Sequence, residues 1–306
     1  RTISAQVTQE WVSIYNGPAN SHNAAKSIAV DNYSNVYITG QSFFQNGSYY
    51  ATLKYNSSGI QQWIALFHDG IDSSSNCPVS IALDSSGNVY VTGRSNDYEN
   101  TQDFQTIKYS SKGFELWAVR YDGPANLNDS PTSMKVDNSG NVYVTGFSYG
   151  NGTDQDIVTV KYNTNGIQQW VARYNGPSNL YDFAVSILVD NSGNVYVTGE
   201  SFSNETTADY LTLKYNSEGI QLWTAIYNGT GNSADLPSLS TIDSSGNVYV
   251  SGQSRIGIFY DYNTVKYNSD GVLQWVAMYH GSNLDNNFAN SIAVDASGNV
   301  IVTGKS

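Results

Sequence analysis

Gly146-Phe147-Ser148-Tyr149-Gly150 has the G-x-S-x-G spacing of a nucleophile elbow, in which a strand-to-helix turn presents a serine hydroxyl to a histidine base. The chemistry would be acyl transfer. No helical periodicity follows Gly150, however, and Gly-x-Ser returns at Gly40, Gly93, Gly199, Gly252 and Gly304. Gly304-Lys305-Ser306 has the ending of a phosphate-binding loop, yet the preceding Gly298 stands one residue too far away for that motif. The histidines, His22, His68 and His280, are scattered, and no H-E-x-x-H occurs. Carboxylates could form a glycosidase-like pair, but Asp103, Asp156, Asp209 and Asp261 each precede a threonine by three residues, with Tyr49 in the fifth such place. Lys54, Lys108, Lys161, Lys214 and Lys266 recur in the same way. A residue that repeats serves the repeat, whereas an active site breaks symmetry. The chain reads as a non-enzyme.

Composition narrows the partners. The 306 residues carry 26 acidic and 14 basic side chains, a net charge of −12. Nucleic acid and anionic membrane are poor partners for that balance, because phosphate neutralisation needs Lys and Arg. No apolar run approaches a membrane span, so membrane insertion is not expected. Cys77 is the only cysteine, which excludes an internal disulfide and a multi-Cys zinc site. Few charges, 24 Tyr and abundant Asn, Ser, Thr and Gly fit an extracellular or cell-surface protein. The start at Arg1 rather than Met fits a form whose targeting segment has been removed. Sequons begin at Asn32, Asn46, Asn56, Asn128, Asn151, Asn204 and Asn228, each a candidate for N-glycosylation, though an Asn/Ser-rich chain also writes sequons by chance.

The elements that must position all these residues come from one repeat. Asp137 to Gly146 reads DNSGNVYVTG, and the same decapeptide returns at Asp190 to Gly199. Looser copies begin at Asp31, Asp84, Asp243 and Asp295, so the steps are 53, 53, 53, 53 and 52. Trp11, Trp63, Trp117, Trp170, Trp223 and Trp275 keep the same register. Within a unit, a short β-prone run such as Ser27–Val30 leads into Asp-x-Ser-Gly-Asn, a hairpin turn whose Asp caps and whose Gly takes the left-handed position. Ser34 replaces that Gly once, at some cost in strain. Val-Tyr-Val-Thr-Gly gives a second strand, Thr-x-Lys-Tyr a third, and Trp-x-Ala-x-Tyr a fourth, with its alternate residues on one face. Six all-β units of about 53 residues predict one domain over residues 1–306: a six-bladed β-propeller of four-stranded blades.

The register also places a seam. After Asp295 the chain offers two strands, and before Asp31 it offers Trp11–Tyr15 as a fourth strand. The sixth blade is then shared between the two ends, a clasp that removes free edges. Its third strand is the weak point. Residues 1–8, RTISAQVT, do not match the pattern, so they fill the place imperfectly, or missing sequence or another molecule supplies it.

Ser-Ile-Ala-Val-Asp-x-Ser-Gly-Asn-Val-Tyr-Val-Thr-Gly resembles the SBBP-type β-propeller repeat, and more distantly the NHL repeat. The resemblance spans nearly the whole chain. It implies a propeller with the Ser-Ile-Ala-Val strand innermost and the Trp strand outermost, in secreted or surface-associated proteins mostly without assigned activity.

Two connections per unit are tight and two are longer, and the longer pair shares one end, where binding residues would concentrate. Asn23, Asn76, Asp129, Asp182, Asp235 and Asn287 stand eight residues before each motif Asp. They would ring a channel mouth as a site for a polar ligand or calcium, or each would cap its own turn. Otherwise no cofactor is expected. Aromatic and aliphatic residues of the same end form a second candidate: Phe43, Phe44, Tyr49 and Tyr50 in the first unit, Ile256, Ile258, Phe259 and Tyr260 in the fifth. Exposed, they would make an interface or stack on sugars; folded back, they would cover the sheet ends. The expected function is a structural or adhesive surface protein that binds protein, including copies of itself through the incomplete sixth blade. The alternative is a glycan-binding module.

Overall fold

Each Asp-x-Ser-Gly-Asn turn (Asp31-Asn32-Tyr33-Ser34-Asn35 in the first) joins two antiparallel strands in the computed structural model. The structure describes residues 8–18, 20–45, 47–70, 74–96, 99, 101–204, 207–230, 232–281 and 286–305. Two compact units divide it: Arg1–Asn100 with Gln105–Ala118, and Thr101–Phe104 with Val119–Ser306.

The first unit holds the antiparallel sheet β1 (Asn23–Val30), β2 (Val36–Phe44), β3 (Gly47–Tyr55) and β4 (Gln61–Phe67), with the short β5 (Ser74–Ser75) parallel to β3. It also holds most of a second sheet, β6 (Cys77–Leu83), β7 (Val89–Asn96), β8 (Gln102–Tyr109) and β9 (Glu115–Tyr121). In the second unit three further sheets follow in strict chain order. They are β10 (Asp129–Val136) to β13 (Gln168–Tyr174), β14 (Asp182–Val189) to β17 (Gln221–Tyr227), and β18 (Asp235–Ile242) to β21 (Leu273–Tyr279). Between them lie β11 (Val142–Tyr149), β12 (Gln155–Tyr162), β15 (Val195–Phe202), β16 (Ala208–Tyr215), β19 (Val248–Ile256) and β20 (Phe259–Tyr267). The last sheet has only β22 (Phe288–Val294) and β23 (Val300–Lys305).

The decapeptide is explained by what its side chains do. Asp137 Oδ1 accepts the backbone N–H of Ser139 and Asn141, both at 2.9 Å, while Oδ2 accepts Asn141 Nδ2 at 2.8 Å and Tyr143 Oη at 3.1 Å. One carboxylate therefore closes the turn and ties down the fully buried Tyr143 of the next strand. Lys161 Nζ lies 5.1 Å from the centre of that ring, and Trp170 packs on it at 6.1 Å. Equivalent bonds surround Asp31, Asp84, Asp190 and Asp243. At Asp84 burial pushes the carboxyl up, but the bonds from Asn88, Tyr90 and Ser86 outweigh it and hold it below the ordinary carboxylate range. Turn glycines such as Gly140 sit at φ +78°, and Ser34 is forced to +60°, the strain expected of that substitution.

Sheets are then sealed against one another. Trp170 and Lys161 both donate to Ser217 O, at 3.1 and 3.0 Å, and Trp223 and Lys214 repeat this on Ser269 O. A methyl on Gly219 would meet the Trp170 ring at 2.6 Å, so only glycine admits the indole. Tyr143, Ile157 and Ala172 of one sheet pack with Val197, Leu211, Leu213 and Tyr215 of the next. Residues 8–18 form no strand, unlike the fourth strand expected at Trp11–Tyr15. They nevertheless carry the fourth-strand packing: Trp11 Nε1 donates to Ser57 O at 3.1 Å, and its ring stacks on Tyr55 at 6.3 Å. What is missing is a ladder partner among the described residues. The expected third strand at residues 1–8 falls, but for Thr8, outside the described residues.

Removing the capping carboxylate should test this reading. Asp137→Ala is expected to lower stability by about 2 kcal/mol in guanidinium melts, the scale of lost bonds to a charged acceptor. Asp295→Ala should cost less, because Ile301 stands where the other repeats place the bonded tyrosine.

Candidate functional site

One polar residue opens or precedes the first strand of each sheet, eight positions before the motif Asp. Asp129, Asp182 and Asp235 open β10, β14 and β18 and are buried. Each accepts the backbone N–H of the glycine six residues earlier: Gly123 for Asp129, Gly176 at 2.7 Å for Asp182, and Gly229 at 2.6 Å for Asp235. These three carboxylates cap their own turns. Asn23 donates to Ser21 O at 2.9 Å and accepts from Ser42 Oγ at 2.6 Å. Asn76 and Asn287 instead reach back to the preceding sheet, donating to Ser48 O at 2.9 Å and to Asp261 Oδ1 at 3.1 Å. The side chains are thus spent on local loops and sheet junctions.

Burial sets their acidity. It pushes the carboxyls of Asp129 and Asp182 up to about 6, against hydrogen bonds from serine and glycine that pull the other way; Asp103 and Asp122 add repulsion at the first, Asp156 at the second. Burial alone takes Glu200 up to about 7. Among the described residues one carboxylate trio, Asp103, Asp122 and Asp129, brings an oxygen of each within 4.8 Å of the others. Arg120 Nε already donates to Asp103 Oδ2 there at 2.7 Å, so the chain supplies its own positive charge. The equivalent Arg173 donates to Asp156 Oδ2 at 3.0 Å, to Ser148 O at 2.8 Å and to Ser148 Oγ at 2.6 Å. Ile226 stands at the same position one repeat on.

The aromatic candidates are arranged differently from the loops expected. Phe43 and Phe44 end β2, and Tyr49 and Tyr50 lie in β3; the ladder runs through Ser42–Tyr49 and Phe44–Gly47, so a tight hairpin replaces a long loop. Alternation then turns Tyr50 inward, fully buried against Phe67 at 5.6 Å. Phe44 packs on Tyr49 at 4.1 Å, and Tyr49 stacks on His68 at 4.3 Å. Ile256, Phe259 and Tyr260 likewise extend the β19–β20 hairpin, Tyr260 stacking on Phe288, and Ile258 alone of this group is strongly exposed, at 77%. The five sequon asparagines 32, 128, 151, 204 and 228 are exposed, Asn56 is half-buried, and Asn46 lies outside the described residues.

Two surfaces were not singled out by sequence. Phe147, Tyr181, Phe183 and Phe202 form one aromatic cluster, with Tyr181 and Phe183 parallel at 5.9 Å and Tyr181 largely exposed. The signal was present: aromatics stand at several repeat positions of neighbouring units that elsewhere carry Gln, Ala or Ser. The second surface is the fourth strand of the sheets that have one, with the turn before it. Ile60, Phe114, Ile167, Ile220 and Val272, each next to a turn glycine, are 56–70% exposed. Ile64, Leu66, Val171, Ile226 and Val276 continue the same outward apolar face along β4, β13, β17 and β21.

Residues 70–99 and 169–204 match the SBBP family, described as a β-propeller repeat. These two stretches carry the SBBP β-propeller repeat. A WD repeat-containing protein of Acanthamoeba polyphaga mimivirus, itself uncharacterized, is 24% identical over 82% of this chain; the match spans 20% of that protein's length. Among solved structures, the polysaccharide lyase Uly1 is similar over 100% of this chain and 85% of its own, with 12% identity and a TM-score of 0.53. The β-propeller domain of the Trilobed protease from Pyrococcus furiosus, described as having an open velcro topology, is similar over 93% of this chain and 78% of its own, with 6% identity and a TM-score of 0.52. At such identities these likenesses speak for the β-propeller fold alone.

The guanidinium of Arg173 is the charged partner of the buried Asp156. Arg173→Met is expected to destabilise the protein by about 3 kcal/mol in chemical denaturation, because Asp156 stays buried without its guanidinium. Replacing both, as Asp156→Asn with Arg173→Met, should recover a large part of that loss.

Proposed function

We infer that the chain is a six-bladed propeller whose ends share one blade, and that it works outside the cell, without catalysis, as a structural or adhesive protein that associates with copies of itself. One observation carries this reading. In the first unit a cavity of about 190 Å³ is lined by Ser13, Tyr15, Ile38, Gly40, Ala51, Leu53 and Tyr55, among others. Three repeats on, the matching Val197, Leu211, Leu213 and Tyr215 are covered by Tyr143 and Ile157 of the preceding sheet. Ala51, Leu53 and Tyr55 are already buried here, and the space beside them is one that second- and third-strand side chains fill elsewhere. In the second unit the sheet of β22 and β23 has no third strand among the described residues, and the Trp275 face of β21 is exposed where the Trp223 face of β17 is half-buried. Strand addition at such an edge gives affinity through main-chain hydrogen bonds. The apolar outer strands add contact area that a solitary protein has no use for.

The Tyr181–Phe183 pair favours one other reading, glycan binding, since an exposed tyrosine backed by a parallel, half-buried ring suits a sugar face. Electron microscopy and sedimentation velocity over a concentration series, on the intact chain and on a form lacking residues 1–10, separate the two. Self-association predicts filaments or regular contacts that truncation abolishes. Single particles at every concentration, together with glycan-array binding lost in Tyr181→Ala, would assign the protein to the lectin reading instead.

A further inference from the structure

The junction between the third and fourth repeats buries two carboxyl groups whose inner oxygens have nothing to bond. Asp156 lies on β12 and Asp182 opens β14, 26 residues later; both side chains are about 1% exposed or less. Their outer oxygens are satisfied. Asp156 Oδ2 accepts from Thr153 Oγ1 at 2.8 Å and from Arg173 at 3.0 Å, and Asp182 Oδ2 accepts from Gly176 N at 2.7 Å. The two Oδ1 atoms are buried without a hydrogen-bond partner. Two repeats on, the same positions are Asp261 and Asn287, again 26 residues apart, and there Asn287 Nδ2 donates to Asp261 Oδ1 at 3.1 Å. The chain writes a neutral donor at that place. An aspartic acid can imitate it only by carrying a proton.

We propose that Asp156 and Asp182 share one proton taken from solvent, the Asp182 hydroxyl donating to Asp156 Oδ1, so that the junction is a proton-binding site that tightens the second unit as the pH falls. Arg173 balances the remaining charge on Asp156 and also reaches Tyr121 Oη at 3.4 Å. Ser201, Tyr174 and Asp156 are the other polar groups that bear on Asp182. The direction agrees with burial holding the Asp182 carboxyl near 6, above its ordinary 3.8. A folded-state value raised in this way gives stability that is fully present below the unfolded value and is lost as the pH rises through about 6.

The test compares guanidinium melts of the intact chain and of Asp182→Asn between pH 5 and pH 8. The wild type should lose stability over that window. The variant should reproduce the Asn287 arrangement, matching or exceeding the wild type at pH 8 and showing a pH slope shallower by up to one proton. Asp129 and Glu200 titrate in the same window, so the difference between the two proteins carries the result rather than either slope. An unchanged slope in a folded variant overturns the proposal. Carbon-detected NMR of the Asp182 carboxyl in the wild type reads the same group without substitution: titration near 6 supports the shared proton, and titration near 4 overturns it.

Discussion

An indole seated on a glycine is the contact on which the rest of the structure depends. A four-stranded sheet with two apolar faces has no stable existence alone in water, and each sheet here is complete only when a neighbour covers it. Trp170 and Trp223 make that cover specific. The ring lies over a turn glycine of the next sheet, and its N–H ends on a carbonyl of the same turn. Any side chain at Gly219 or Gly271 would collide with it. The tryptophan is held in turn by the buried tyrosine of its own sheet, the tyrosine by the capping Asp, and the Asp by the hairpin it closes. The decapeptide, the lysine series and the tryptophan series are therefore parts of one chain of contacts from turn to turn. Selection for that contact explains why the wording repeats.

Function must then be sought where the wording changes. Arg120 and Arg173 occupy a position that Ile226 and Met278 hold in later units, and His280 pairs with Asp261 where other units place Asn or Asp beside their carboxylate. The buried Asp on the third strand meets an arginine in two repeats and a histidine in another. A buried charge is costly unless paired, so a partner at this position matters most where the carboxylate is most buried.

Much of this was legible from sequence, for a physical reason. Six copies average out local noise, and a period of 53 residues with four β-prone runs leaves few alternatives to a propeller blade. The capping role of Asp and the strain at Ser34 followed from turn chemistry. The ends of strands were not legible. Phe43, Phe44 and Tyr49 suit a loop tip as well as a pleated strand, and only the pairing with Ser42 and Gly47 decides. Asp156 with Arg173, and Asp103 with Arg120, stand 17 residues apart in both repeats, a spacing that was visible but had no meaning until β12 and β13 were placed side by side. Side-chain contacts between sheets depend on packing angle, and sequence periodicity carries no information about it.

The outer strands pose the remaining constraint. Repeated selection of Ile, Phe or Val beside each turn glycine puts an apolar residue into water in unit after unit, where interior packing asks for none. A net charge of −12 adds a repulsion between copies that is strongest at low salt. Screening shortens the repulsion to about 8 Å at physiological ionic strength, while apolar contact is hardly weakened by salt. On the self-association proposed above, a surface of this kind would meet another copy more readily as the salt concentration rises.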